Sequence, residues 1–198
     1  MLTMRQLGVS LIELMVGLSV GGILLALGMP AFNLWIQNTQ NRTAAESISN
    51  GLQLARAEAV RRNALVRFEL TDASGQVAWN VGCFHVTDDC PATIQSRPAA
   101  EGTINARAGA STETIPVPTP VDHFKDAIAA GTGLTAGVSF NGLGRVPSAN
   151  IGDDITRIDI TNTAAADARS FVVTITAGGQ IRMCDPALVF ANNSQGCS

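Results

Sequence analysis

Cys83, His85, Asp88, Asp89 and Cys90 fall within eight consecutive residues and carry side chains of the types that hold a metal ion. A zinc site needs a full set of ligands at a characteristic spacing, and the chain has no matching second pair. With Cys184 and Cys197 the same two cysteines can instead form disulfides, in any of three connectivities. Cys83–Cys90 and Cys184–Cys197 are the expected pairs, because each closes a local loop and the second ties down the C-terminal tail. Gly17-Leu18-Ser19-Val20-Gly21 fits the letters of the G-x-S-x-G nucleophile elbow. That motif needs a strand-to-helix turn with His and Asp partners, whereas this stretch sits inside a long apolar run. His85 and His123, the only histidines, belong to no Ser/His/Asp or Cys/His arrangement. Asp153-Asp154 after Gly152 reads as a turn, since two carboxylates do not make a calcium loop. The expectation is therefore no catalytic residue, no metal and no cofactor.

The remaining chemistry is that of Glu13. No charged residue occurs from Leu14 to Asn41. As a helix, Val9 to Ala31 would be about 35 Å long, against a hydrocarbon core of about 30 Å. Trp35 comes next, where an interfacial ring belongs, and Arg5 in the short leading segment favours a cytoplasmic N-terminus. A cleaved secretory signal has a shorter apolar core and a small-residue end, and Pro30-Ala31-Phe32 is not such an end. The run is read as a retained anchor. A carboxylate inside it is costly unless it is partnered or lies shallow enough to meet headgroup water, and an intramembrane acid is a functional candidate by default. Gly17 and Gly21 also read as G-x-x-x-G, a spacing that lets helices approach closely in lipid. Pro30 lacks an N–H and crowds the carbonyl of Ala26, which predicts a kink or local melting.

Composition adds exclusions. The 198 residues carry a formal net charge of -3, with twelve arginines and one lysine, so general affinity for nucleic acid or acidic membrane is not expected. Beyond the anchor, Ala45, Ile48, Leu52, Ala55 and Ala59 repeat at helical spacing. Glu58 and Arg62 can pair at i, i+4, Arg61 and Arg62 suit a helix C-terminus, and Asn63 is a plausible stop. Such a helix from Val9 to Arg62 would be about 80 Å long. Past Asn63 the chain alternates as strands do: Val66, Phe68, Leu70; then Val77, Trp79, Val81; later "VSF", "TRIDI", "SFVVTIT" and "QIRM", the last two as a hairpin. Residues 91–137, rich in Pro, Thr, Ala and Gly, are expected to be a long surface excursion with one edge strand.

Gly8 followed by "VSLIELMVGLSVGGILLALGMPAF" resembles the prepilin signal of type IV pilins and type II secretion pseudopilins: a short basic leader ending in glycine, then an apolar run with glutamate fifth. Val9 stands where the family usually has phenylalanine. "LQLARAEAVRRNALV", "FNGLGRV" and "GGQIRMCDP" resemble the branch that contains the H-type pseudopilin and the FimT/FimU minor pilins. The resemblance covers both ends of the chain and hardly touches 91–137.

That resemblance implies an α+β, type IV pilin-like fold, a long N-terminal helix on an antiparallel β-sheet domain. The implied organisation is a leader at 1–8, a helix over 9–62 with its transmembrane part at about 9–32, and a periplasmic domain at 63–198. A prepilin peptidase would cut between Gly8 and Val9 and methylate Val9. Glu13 would pair with a neighbour's terminal amine as the fibre assembles, and Pro30 would mark where the helix unwinds. The implied role is a structural subunit that helps initiate or cap a pilus or secretion pseudopilus. Its partners would be other pilins, the peptidase, the inner-membrane assembly platform and membrane lipid. A FimT-type DNA-binding subunit is the alternative, with Arg182 as the candidate contact; the tail after Cys184 has no lysine or arginine, which argues against it. An anchored periplasmic enzyme is the least favoured reading.

Overall fold

The computed structural model describes residues 10–99 and 101–197, with the backbone alone at residues 27, 28 and 30. It divides into two compact units, one up to Ile36 and one from Gln37 onward. Helix α1 (Leu11–Arg62) runs through both. In the first unit it is bare: residues 11–20 are all exposed, Leu11 at 77% and Leu18 at 69%. Phe32 and Trp35 stack at the end of this unit with ring centroids 5.8 Å apart.

In the second unit α1 becomes a core element. Ala44, Ala45, Ile48, Leu52, Ala55 and Ala59 are completely buried, the stripe that helical spacing predicts. Arg61 and Arg62 occupy the last turn, where cations complement the carbonyl ends. Asn63 takes φ 49° and the Ala64 N–H reaches back to the Ala59 carbonyl at 3.1 Å, which ends the helix.

Two four-stranded antiparallel sheets complete this unit. The first has the order β3-β2-β1-β5, from β1 (Val66–Leu70), β2 (Trp79–Cys83), β3 (Gln95–Arg97) and β5 (Ala136–Phe140). Its alternating inward residues Val66, Phe68, Leu70, Val81 and Val138 are buried. Gly51 lets α1 come down onto this sheet, because a Cβ there would lie 2.8 Å from the Phe68 ring. Trp79 packs against Phe68 and donates Nε1–H to Ser47 Oγ on the helix at 3.0 Å.

The second sheet has the order β4-β6-β7-β8, from β4 (Ala106–Ser111), β6 (Arg157–Asn162), β7 (Phe171–Ile175) and β8 (Ile181–Cys184). Ile158, Ile160, Val173 and Ile175 join the main core, while Val172 and Cys184 form a smaller cluster with Phe124 and Cys197. Strands β7 and β8 pair as the expected hairpin.

The span 91–137 holds two whole strands, β3 and β4, and the first two residues of β5, rather than one edge strand. The β4 signal is muted in sequence because its buried positions are Ala106, Ala108 and Ala110. Between them Gly109 has to be a glycine, because a Cβ there would sit 2.5 Å from the Ala129 carbonyl oxygen. The outer edge of β4 is filled by this chain's own loops, since Ala108 donates to Gly75 O and accepts from Gly131 N, and Ala110 donates to Thr132 O. The edge of β5 is filled likewise, by Ile155 N to Gly137 O and by Ser139 N to Asp154 Oδ2.

Candidate anchoring and assembly site

Gly8 and Val9 lie outside the described residues. Glu13 stands in the first turn of α1, where the free N–H groups of a helix favour a carboxylate. It is surrounded on its own helix by exposed Leu11, Ile12, Leu14 and Met15. The most apolar 18-residue window of α1 has a mean hydropathy of 2.1 and none of it is buried. A surface of this kind needs lipid or other apolar helices to cover it. Gly17, Gly21 and Gly22 have open space where a side chain would be, so a neighbouring helix can approach their backbone. The stretch Gly17 to Gly21 is helical, with Ser19 Oγ donating to the Met15 carbonyl at 2.8 Å. A nucleophile elbow has neither feature. The helical run also includes position 30.

Where the second unit begins, four amide side chains fasten the helix to the second sheet. Asn105 donates Nδ2 to Gln37 Oε1 at 3.1 Å and its N–H to Gln40 Oε1 at 3.2 Å. Arg169 N–H donates to Asn38 Oδ1 at 2.7 Å. Asn41, wholly buried, donates Nδ2 to the Arg169 carbonyl at 2.9 Å and accepts from Asn162 Nδ2 at 3.1 Å. Sequence reasoning passed over this run. Its only signal was four amides within five residues directly after the apolar segment, which a reader assigns to solvent.

Both disulfides join sequence neighbours, Cys83 to Cys90 and Cys184 to Cys197. Their sulfurs are bonded to one another and supply no thiolate for a metal. Among the described residues no group of three or more His, Cys, Asp or Glu is placed to hold one. Asp154 is a structural acid: buried, it accepts from Arg67 Nη1 at 2.9 Å, Ser139 N at 2.8 Å and Asn150 Nδ2 at 3.1 Å.

The excursion is stapled to the outer face of the second sheet by a buried ion pair. Arg157 contacts Asp159 at 2.6 Å and donates to the His123 and Asp126 carbonyls, while Ile128 N donates to Asp159 Oδ2 at 2.8 Å. The Arg157 guanidinium also lies 5.0 Å from the Phe124 ring centroid.

Arg182 on β8 is half-buried. Its guanidinium donates to the Gly196 carbonyl and sits 4.4 Å from the Phe190 ring centroid. It thereby grips the tail, which Cys184–Cys197 and an Asp185 N to Gln195 O bond of 2.7 Å also hold. At the far end of α1, Arg61 and Arg62 both bond to Glu58, and these bonds, Arg61 foremost, hold its carboxyl below the usual range.

The family model described as type II transport protein GspH matches residues 44–179. A second, the prokaryotic N-terminal methylation motif, matches residues 3–29. No curated protein sequence matches the chain. Among solved structures, the type IV minor pilin FimU of Pseudomonas aeruginosa is similar at 16% identity over 78% of this chain and 95% of that chain, with a TM-score of 0.48. The minor pseudopilin EpsH from the type 2 secretion system of Vibrio cholerae is similar at 12% identity over 75% of this chain and 99% of that chain, with a TM-score of 0.47.

Proposed function

The chain belongs to the GspH family of type II transport proteins, and from that premise we infer that it is a minor pilin or pseudopilin, anchored by the exposed part of α1 and contributing its globular unit to a fibre. The observation that carries the reading is the change of character along one helix. The part up to Ile36 is apolar and bare, and the part after it is the buried spine of a two-sheet unit.

The finer steps belong to the same proposal. Cleavage between Gly8 and Val9 by a prepilin peptidase, with methylation of Val9, leaves Glu13 fifth from the new terminus. The Glu13 carboxylate then pairs with the terminal amine of an adjacent subunit. In low dielectric each charge offsets the other's desolvation, and a subunit out of register leaves both bare. Pro30 gives the bare helix a weak point where it unwinds on assembly. The anchor sits in the inner membrane against lipid and the assembly platform, the globular unit lies in the periplasm, and the subunit helps initiate or cap the fibre.

Arg182 does not favour the DNA-binding alternative, because its guanidinium already serves the Gly196 carbonyl and the Phe190 ring. The family is one of structural subunits, and no catalytic arrangement occurs among the described residues.

The test is replacement of the chromosomal copy by Glu13→Ala. The expected result is a processed protein that stays in the membrane, with loss of surface pili or of type II secretion. Normal fibre assembly by that variant would overturn the register role, and unchanged piliation and secretion in a full deletion would overturn the fibre reading itself.

A further inference from the structure

Residues 141–145, the middle of the stretch Phe140 to Val146, form a turn beside the last turns of α1 that is rigid for its size. Asn141 N–H donates to the Arg145 carbonyl at 2.9 Å. Asn141 Oδ1 accepts from the N–H of Leu143 at 3.0 Å and of Arg145 at 3.2 Å. The Gly144 carbonyl in turn accepts from Arg56 Nε on the helix at 3.1 Å, and Gly179 lies so near that carbonyl that no Cβ would fit between them. A Cβ at 144 would lie 3.2 Å from Val60 Cγ2, so Val60 borders the turn as well. On this fixed frame Leu143 is 78% exposed and Val60 52%. Covering an apolar pair that is already held in place costs little ordering entropy.

The uncompensated charges around the pair are all positive. Arg56 and Arg145 are exposed, and neither belongs to an ion pair among the described residues. The one hydrogen bond of Arg56 engages Nε, which orients the guanidinium while its two terminal nitrogens have no partner among the described residues. Glu58, the nearest acid along the helix, already serves Arg61 and Arg62. Two guanidinia with donors to spare suit carboxylates, which they bind in a fork. They are too few for a nucleic-acid track. The patch lies about 30 Å of helix beyond Gln37, where the chain enters this unit.

We propose that Arg56, Val60, Leu143 and Arg145 form a docking surface for an acidic, apolar segment of an unlike subunit of the fibre. Its carboxylates lie on the two guanidinia and its apolar side chain lies across Val60 and Leu143. Charge complementarity selects such a segment, because an uncharged one leaves both cations without a counterion and a basic one is repelled. A subunit that initiates or caps a fibre meets unlike neighbours, so the contact is made once and does not repeat along the filament. This deepens the reading as a minor fibre subunit and rests on it.

Photocrosslinking in the native host tests the proposal. The full chain carries p-benzoylphenylalanine in place of Leu143, and mass spectrometry sequences the crosslinked peptide. The expected adduct is with another subunit that bears a prepilin signal, at a segment with carboxylates within a few residues of the crosslink. Its yield falls about tenfold or more with Arg56→Glu and with Arg145→Glu. The second variant keeps the test sound if the first loosens the turn, since the Arg145 side chain makes no hydrogen bond or ion pair among the described residues. Lysines in place of the partner's carboxylates restore the yield of the double variant. No adduct, an adduct with a second copy of this chain, with lipid or with nucleic acid, a partner segment without carboxylates, or a yield that Arg145→Glu leaves unchanged would each overturn the proposal. Loss of pili or secretion on deletion, without the expected adduct, sinks this proposal and leaves the fibre reading standing. The expected adduct with normal fibres in the deletion does the reverse, so the two fail separately.

Discussion

Asn162 donates its side-chain amide to the side-chain carbonyl of Asn41 at 3.1 Å, and Asn41, on the helix, has no exposed surface. The same Asn41 spends its own N–H on the Arg169 carbonyl. A polar side chain buried in a helix stripe otherwise made of alanine, isoleucine and leucine fixes one rotation of that helix against the sheet. Any other rotation leaves these amides unsatisfied.

Asn41→Ala is accordingly expected to cost about 1–3 kcal/mol, the penalty for orphaned buried polar groups. Denaturant unfolding of the full chain, compared with an Asn50→Ala control on the exposed flank, measures it. The control is expected to stay within about 0.5 kcal/mol of the parent.

Arg157→Met should cost about 3–5 kcal/mol, because it leaves the Asp159 carboxylate buried and unpaired. The double variant Arg157→Met with Asp159→Leu should lose less than the single one. Limited proteolysis reports the structural side: residues 123–128, held by these two side chains, become the first site of cleavage in the single variant.

Glu58 ties pH to the end of α1. Its carboxyl is held below its ordinary value of 4.5 chiefly by Arg61. Its contribution to stability is therefore complete above that value and is lost as pH falls through the lower folded-state value. Thermal melts from neutral to strongly acidic pH should show parent and Glu58→Gln converging in acid, with the parent ahead at neutral pH. The effect is expected to be modest, since the Arg61 partner is largely exposed.

Removing the disulfides one pair at a time should rank them by loop length. Cys184 and Cys197 are 13 apart in sequence and Cys83 and Cys90 are 7 apart. Chain entropy assigns about 3 kcal/mol to the longer loop and about 2.5 kcal/mol to the shorter. Paired serine substitutions followed by chemical unfolding supply the comparison. The Cys184/Cys197 variant should in addition loosen the grip of Arg182 on Gly196, read as faster amide exchange in residues 185–197.

Legibility followed periodicity. The buried stripe Ala45 to Ala59 and the strands around Phe68, Trp79 and Val173 announce themselves because large apolar residues recur at helical or alternating spacing. Strand β4 does not, since alanines and a glycine alternate too weakly to register, and the need for a glycine at 109 comes from the backbone of residues 128 and 129 packed against it. The amide cluster at 37–41 was invisible for a related reason: glutamine and asparagine read as solvent-facing until their partners Asn105, Asn162 and Arg169 are brought beside them. Glu13 stands out in the sequence as a charge at the start of an apolar run. Energetics alone leaves open whether it is partnered or lies shallow, and the register role assigned to it rests on the family resemblance. Arg182 was legible as a cation, and its commitment to Gly196 and Phe190 depends on the fold of the tail.

The filled edges of β4 and β5 have a last consequence. A protein destined to be stacked in a polymer runs the hazard of stacking by the wrong means, strand upon strand, in the manner of amyloid. Here the chain's own loops occupy two of the four outer edges, a disulfide-held tail straps the end of β8, and β3 is only three residues long. Backbone pairing of one copy on another is thereby blocked at those edges, which leaves side chains and the bare part of the helix as the surfaces free to make contacts.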